Sequence, residues 1–100
     1  MPSTDIQLDE KIKITTQEPK RWKVVLLNDD STPMEFVVSI LIEIFRHTTD
    51  TARDIMLQVH ETGSGIAGVY SFEIAEVKEV EATNLARASG YPLQIKLEEE

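Results

Sequence analysis

Apolar residues are spaced in different ways along the chain. From Lys23 to Leu27 they run almost without a break, which suits a strand more buried than exposed. Between Pro33 and Phe45, Val37, Val38, Ile40, Leu41, Ile42, Ile44 and Phe45 leave almost no polar face. That segment predicts a helix touching protein on more than one side. From about Thr49 to Gly63, Ala52, Ile55, Met56, Val59 and His60 fall at i, i+3, i+4, i+7 and i+8, the single stripe of an amphipathic helix. The stripe stacks Met56 and His60 one turn apart. Gly63-Ser64-Gly65 reads as a turn, and Ile66 to Phe72, with Gly68 inside it, as a second strand. A third helix opens at Glu73 or Ile74 and stops at Gly90, a natural C′ residue. After the break at Tyr91-Pro92, Leu93, Ile95 and Leu97 alternate with Gln94, Lys96 and Glu98, a half-buried last strand. The order β-α-α-β-α-β predicts an α+β fold, a three-stranded antiparallel sheet with three helices packed on one face. Residues 1–20 mix charged and polar residues with Pro2 and Pro19 and alternate only weakly at Ile6, Leu8, Ile12 and Ile14. They read as a flexible N-terminal extension ahead of a domain over residues 21–100.

Composition narrows the chemistry. The 100 residues are 41% apolar, enough for one small core. With no cysteine, disulfides, zinc-thiolate sites and cysteine nucleophiles fall away. No apolar run reaches membrane-spanning length and the polar amino terminus has no signal-peptide core, so a cytoplasmic protein is expected. A net charge of −8 with no basic stripe argues against nucleic acid and favours basic partners. His47 and His60 are too few and too badly spaced for a metal site, and no glycine-rich phosphate loop is present, so no metal and no cofactor is expected. Ser31, His60 and Asp29 could be written as a triad. Yet Gly63-Ser64-Gly65 is not a nucleophile elbow and no oxyanion hole can be named, so an enzyme is not expected.

The chemically loaded segment is Asn28-Asp29-Asp30-Ser31-Thr32-Pro33-Met34-Glu35-Phe36-Val37. A strand ends in three polar acceptors, and a helix follows at once. Thr32 fits an N-cap, Pro33 the first helical position and Glu35 the third, which predicts a capping box. An amide and two carboxylates beside Met34, Phe36 and Val37 suit a ligand that carries a positive group next to a hydrophobic one. An α-amino group has three donors and one charge and needs about three acceptors around it. The Asn28 oxygen and the Asp29 carboxylate supply two, and a neutral His60 ring nitrogen is a candidate third. Each residue also has an ordinary structural role. Asn and Asp satisfy backbone groups in turns, a histidine on a helix stripe packs at the rim of a core, and Met34, Met56, Val37 and Val59 are usual core residues. Methionine also lines sites that admit several large side chains.

These segments, with Met56-Leu57-Gln58-Val59-His60, Gly68-Val69-Tyr70, Glu73-Ile74-Ala75-Glu76-Val77-Lys78 and Pro92-Leu93, resemble the ClpS family of adaptor proteins. The resemblance covers about residues 21–98 and is most specific at Asn-Asp-Asp-x-Thr-Pro-Met-Glu-Phe. It implies a monomeric adaptor that binds proteins beginning with Phe, Tyr, Trp or Leu and delivers them to a Clp-type AAA+ unfoldase, ClpA or a relative, coupled to ClpP. Carried over by position, Asn28, Asp29 and His60 would hold the α-amino group, and Asp30 and Thr32 would order the loop and rim. Leu27, Met34, Val37, Met56, Val59 and Leu93 would line the side-chain pocket, with Ile40 close behind. Glu73 and Lys78 would contact the N-terminal domain of the unfoldase, which would also engage the extension. Three positions depart from the family pattern: Ser31, where an aromatic is usual; Glu61, where a neutral or aromatic residue is common; and Val77, where Thr is common. The same element order also resembles the carboxy-terminal domain of the ribosomal stalk protein, an interaction module with no need of Asn28, Asp29 and His60.

Overall fold

A computed structural model describes residues 20–100, so the expectation of a flexible extension over residues 1–20 lies, apart from Lys20, outside the described residues. Six elements follow one another: β1 (Arg21–Leu27), α1 (Met34–Glu43), α2 (Thr49–Thr62), β2 (Ser64–Ser71), α3 (Phe72–Ala88) and β3 (Gln94–Glu99). The three strands form one antiparallel sheet in the order β2-β1-β3, so β1, the most apolar strand, is central. The fold class and element order are those the periodicities predict.

One face of β1 carries Trp22, Val24 and Leu26 toward the helices. Val24 and Leu26 are fully buried with Val37, Ile40 and Leu41 of α1, Ala52 and Val59 of α2, and Ala75, Ala82 and Ala86 of α3. The alanines let α3 lie close to the sheet, since a small side chain brings a helix axis nearer its neighbour. β2 contains a bulge opposite Val24 and Val25: Gly68 pairs with Val24 and Ile66 with Val25, leaving Ala67 between them without a partner on β1. The His47 ring fills that gap, with Nε2 bonded to the Ala67 carbonyl oxygen. A carbonyl only accepts, so Nε2 carries the hydrogen.

Element ends differ from expectation, each for a local reason. No capping box forms. The Thr32 hydroxyl is taken by Asp29, Pro33 occupies the N-cap position with extended backbone, and its carbonyl accepts from the Phe36 and Val37 amides. α1 stops at Glu43 rather than Phe45. Its last turn opens, with the Phe45 amide reaching Ile40 O and the His47 amide reaching Leu41 O, and Arg46 turns the chain at φ 62°. The Lys78 ammonium donates to Ile44 O at 2.6 Å and so satisfies a carbonyl that the opened turn frees. The Gly63-Ser64-Gly65 turn is tighter than expected: Gly63 alone, at φ 93°, reverses the chain, and β2 begins at Ser64. Phe72 belongs to α3 rather than to the strand, and Gly90 follows α3 in the left-handed region at φ 84°, as a C′ glycine should.

Candidate functional site

The end of β1 and the end of α2 are joined directly. The Asn28 amide donates to Gly63 O at 2.9 Å, and Leu27 pairs with Ser64. Gly65 makes the approach possible, since a Cβ there would lie 2.7 Å from Val59 Cγ2 and 3.3 Å from Ile55 O. The acceptor loop is thereby tied to the last turn of α2, which bears His60. Asn28 and His60 are exposed, and among the described residues neither side chain has an internal hydrogen-bond partner.

Asp29 is differently employed. Its Oδ1 accepts from the Ser31 amide at 2.8 Å and the Thr32 amide at 2.7 Å, and its Oδ2 accepts from the Thr32 hydroxyl at 2.7 Å. Partial burial alone would raise its pKa. The Thr32 hydroxyl, the two amides and the Arg87 charge together outweigh that and hold the carboxyl below its ordinary value. A carboxylate has about four lone-pair sites. Three are spent on the loop, and one, on Oδ2, remains for anything outside it. Thr32, expected to order the loop, does its bonding through Asp29, while Asp30 is exposed.

The expected pocket residues fall into two depths. Val37, Ile40, Val59 and Leu93 are buried within one cluster, and Met56 packs against it. Leu27 is half-buried, and Met34 is 42% exposed. The helices that follow the acceptor loop and precede Gly63 thus contribute an apolar cluster, with Met34 exposed at the start of α1. Between α1 and α2 lies a cleft of about 380 Å³, lined by Met34, Glu35, Val38, Arg53, Met56 and Leu57. Only Met34 and Met56 of these were expected in a site. Leu57 is exposed and sits outside the Ala52–Val59 stripe, so periodicity discards it, and a single exposed leucine is too common on protein surfaces to have marked it.

A second cleft, about 580 Å³, is lined by Ser31, Arg87, Gly90, Tyr91, Pro92 and Gln94. Arg87 Nη1 donates to the carbonyls of Tyr91 at 2.9 Å and Leu93 at 2.8 Å, which fixes the turn that inserts Leu93 into the core. The Tyr91 ring meets Phe36 edge-on at 4.7 Å. Glu73 is exposed at the start of α3, whereas Lys78 is folded inward, bonded to Ile44 O and 5.9 Å from the Tyr70 ring centroid. Glu73 and Lys78 thus share a helix, but only Glu73 presents its charge freely. Among the described residues no group of three or more His, Cys, Asp or Glu is placed to hold a metal ion, and no helix is long and apolar enough to cross a membrane.

Comparison with known proteins adds an independent line. Residues 17–96 match the family model described as ATP-dependent Clp protease adaptor protein ClpS. The chain is 48% identical over 95 residues to the ATP-dependent Clp protease adapter protein ClpS of Oleidesulfovibrio alaskensis, covering 95% of this chain and 88% of that one. It is 46% identical over 100 residues to the protein of the same description from Campylobacter jejuni strain 81-176, covering all of both. Its fold matches Agrobacterium tumefaciens ClpS2 bound to L-phenylalaninamide, with TM-score 0.80 and 46% identity over 83% of this chain and 100% of that one.

Proposed function

This chain belongs to the ClpS family of ATP-dependent Clp protease adaptor proteins, and from that premise we propose that it recognises the first residue of its cargo. The cargo is a protein whose N-terminal residue is Phe, Tyr, Trp or Leu, handed to a Clp-type AAA+ unfoldase and its protease. The observation that carries the reading is the juxtaposition at the α2 end of β1. The Asn28 carboxamide and the His60 imidazole are exposed and without side-chain hydrogen-bond partners among the described residues, the backbone bond from Asn28 N–H to Gly63 O ties the loop that also carries Asp29 to the end of α2, and Val37, Met56 and Val59 of the flanking helices belong to the apolar cluster.

Each group has a distinct task. The Asn28 side-chain oxygen, the remaining Asp29 lone pair and a neutral His60 nitrogen accept the three hydrogens of an α-ammonium, while the Asp29 charge balances it. An apolar wall receives the first side chain, with Val37, Ile40, Val59 and Leu93 as floor, Leu27 at the side and Met34 at the mouth. Phenylalaninamide, the ligand of the Agrobacterium relative, combines an α-amino group with an aromatic side chain, the pairing this arrangement suits. Glu73 of α3 faces the unfoldase. Lys78 acts there through the shape of the α1–α3 junction that its bond to Ile44 maintains.

A set of otherwise identical peptides differing only at residue one tests the reading. Burying a Phe or Leu side chain is worth about 1.5–3 kcal/mol, so the bulky four should bind at least about tenfold tighter than Ala or Ser. Adding the chain should also speed degradation of a Phe-initiated reporter by a Clp unfoldase–protease and leave its Ala-initiated twin unchanged. Binding indifferent to residue one would overturn the proposal.

A further inference from the structure

We propose that the domain yields unequally to force at its two ends, resisting a pull through its N-terminus and opening readily through its C-terminal strand. A chain that works beside a protein-unfolding machine can itself be gripped at either end, and the sheet decides which end gives way. Residues 1–19 join the domain at Lys20, directly ahead of β1, and β1 is the central strand. It pairs with β2 from Arg21 to Leu27 and with β3 from Trp22 to Leu27. Antiparallel ladder bonds run perpendicular to the strands, so a pull along β1 loads both ladders across all their bonds together. The strand has no easy first step. A slip of one residue would turn Val24 and Leu26, both fully buried, to the open face of the sheet and drive Lys23 toward the core. The bulge between Ile66 and Gly68 fixes the same register from the β2 side. The Trp22 ring, edge-on to Phe72 at 5.1 Å, must leave with the strand.

The head of β1 is also fastened to both neighbours. Arg21 Nη2 donates to Val69 O of β2 at 3.1 Å, its Nε stands 3.9 Å from Glu100 Oε1, and its carbonyl oxygen accepts from the Glu100 amide at 2.8 Å. Lys20 Nζ lies 3.0 Å from Glu99 Oε1. At the other terminus the sheet is weaker. Among the described residues β3 is an edge strand with β1 as its one neighbour, and its inward residues Ile95 and Leu97 are only half-buried. Pulled at Glu100, β3 peels. The bond from the Glu100 amide to Arg21 O opens first, and the pairs from Glu99↔Trp22 to Gln94↔Leu27 follow in turn. The ion pairs Lys20–Glu99, Arg21–Glu100 and Lys23–Glu98 lie along that line and open one after another, each at least partly exposed and individually weak. Once β3 has gone, β1 is held on one side only. The acceptor loop follows the other end of β1, so this asymmetry stands whatever the loop binds.

The test appends one unstructured tag, recognised directly by an AAA+ protease, to the full chain, either ahead of residue 1 or after Glu100 with a spacer of equal length. The C-tagged chain should be degraded at least about tenfold faster than the N-tagged one, since forced unfolding follows the unfolding barrier and the N-terminal route breaks a second ladder. The double variant Leu26→Asp, Leu41→Asp places two charges in the core and unfolds the domain. Its two tagged forms should be degraded at rates within about twofold of each other, which separates strand order from any preference of the protease for one tag position. Arg21→Ala should at least about double the rate of the N-tagged chain while leaving the urea midpoint of the untagged chain nearly unchanged. Equal rates for the two tagged parents, faster loss through the N-terminus, or a bias of the same size in the unfolded variant would overturn the asymmetry. An Arg21→Ala chain whose N-tagged rate is that of the parent would overturn the part given to Arg21.

Discussion

Replacing Thr32 by Val asks how much of the acceptor loop is held by Asp29. The substitution keeps the β-branched shape and removes only the hydroxyl, so it deletes the 2.7 Å bond to Asp29 Oδ2 and leaves the amide bonds from Ser31 and Thr32 to Oδ1 in place. A hydrogen bond to a charged group is worth about 1.5–3 kcal/mol, and because Thr32 is only half-buried, the lower end, about 1.5 kcal/mol, applies. The loss should depend on pH. Asp29 titrates below its ordinary value in the folded protein, so it contributes stability above the unfolded value near pH 4, and that contribution disappears as pH falls through the lower folded value. Thr32→Val removes one of the groups responsible for the depression. The gap between parent and variant should therefore be constant around pH 7 and narrow as pH falls below about 4 and through the lower folded value, beneath which the hydroxyl faces a neutral carboxyl. Urea unfolding of parent, Thr32→Val and Ser31→Ala at pH 7 and over an acid series below about pH 4 measures it. Ser31 is exposed and bonds only through its backbone, so Ser31→Ala should lie within about 0.5 kcal/mol of the parent. If Thr32→Val matches Ser31→Ala at pH 7, or if its deficit never narrows on acidification, Asp29 does not hold the loop in the way described.

Gly65→Ala should destabilise the fold by about 1–3 kcal/mol in thermal or urea unfolding, because its Cβ would stand 2.7 Å from Val59 Cγ2 and 3.3 Å from a backbone oxygen of α2; an unchanged midpoint would mean that β2 can back away from α2 freely. Lys78→Met should cost about 1–2 kcal/mol by leaving Ile44 O without its donor, and a variant as stable as the parent would return Lys78 to a purely external role. Met34→Ala should admit Ile- and Val-initiated peptides, whose bulk at Cβ a methionine at the mouth of the wall excludes; if the variant keeps Phe and still rejects them in a fluorescence titration, another residue sets the limit.

Periodicity was sufficient for the elements because each buries a regular face: the apolar run of β1, the Ala52–Val59 stripe of α2 and the alternation of β3 all survive into the structure. It was insufficient at the ends, where single side chains decide. Thr32 could cap a helix or bond Asp29, and the two alternatives have the same sequence signature, so the capping box was indistinguishable from the loop bond that actually forms. The end of α1 carries no glycine and depends on a donor from Lys78, 34 residues away in sequence, which no local pattern can show. The sequence offers His47 only as an unsuitable metal ligand, because its bond to the Ala67 carbonyl depends on a bulge in β2, a product of strand register that no local pattern shows. The same ambiguity touches the candidate site. Asn and Asp serve turns and ligands with the same atoms, and three of Asp29's lone pairs go to the turn. Family resemblance names Asn28, Asp29 and His60, and the bond from the Asn28 backbone amide to Gly63 O ties residue 28 to the glycine three residues beyond His60.

The central claim is that the site reads a free α-ammonium attached to a bulky side chain, and acetylation of the ligand addresses it most directly. Capping a Phe-initiated peptide removes the charge and two of three donors while leaving the ring that the apolar wall receives. With more than one charge-assisted bond lost, at about 1.5–3 kcal/mol each, affinity should fall at least about a hundredfold. His60→Ala and Asn28→Ala should each weaken the free peptide and have little effect on the acetylated one, since the groups removed have nothing left to bind. Equal affinity for the free and acetylated peptides would contradict the claim and leave Asn28 and His60 as surface residues.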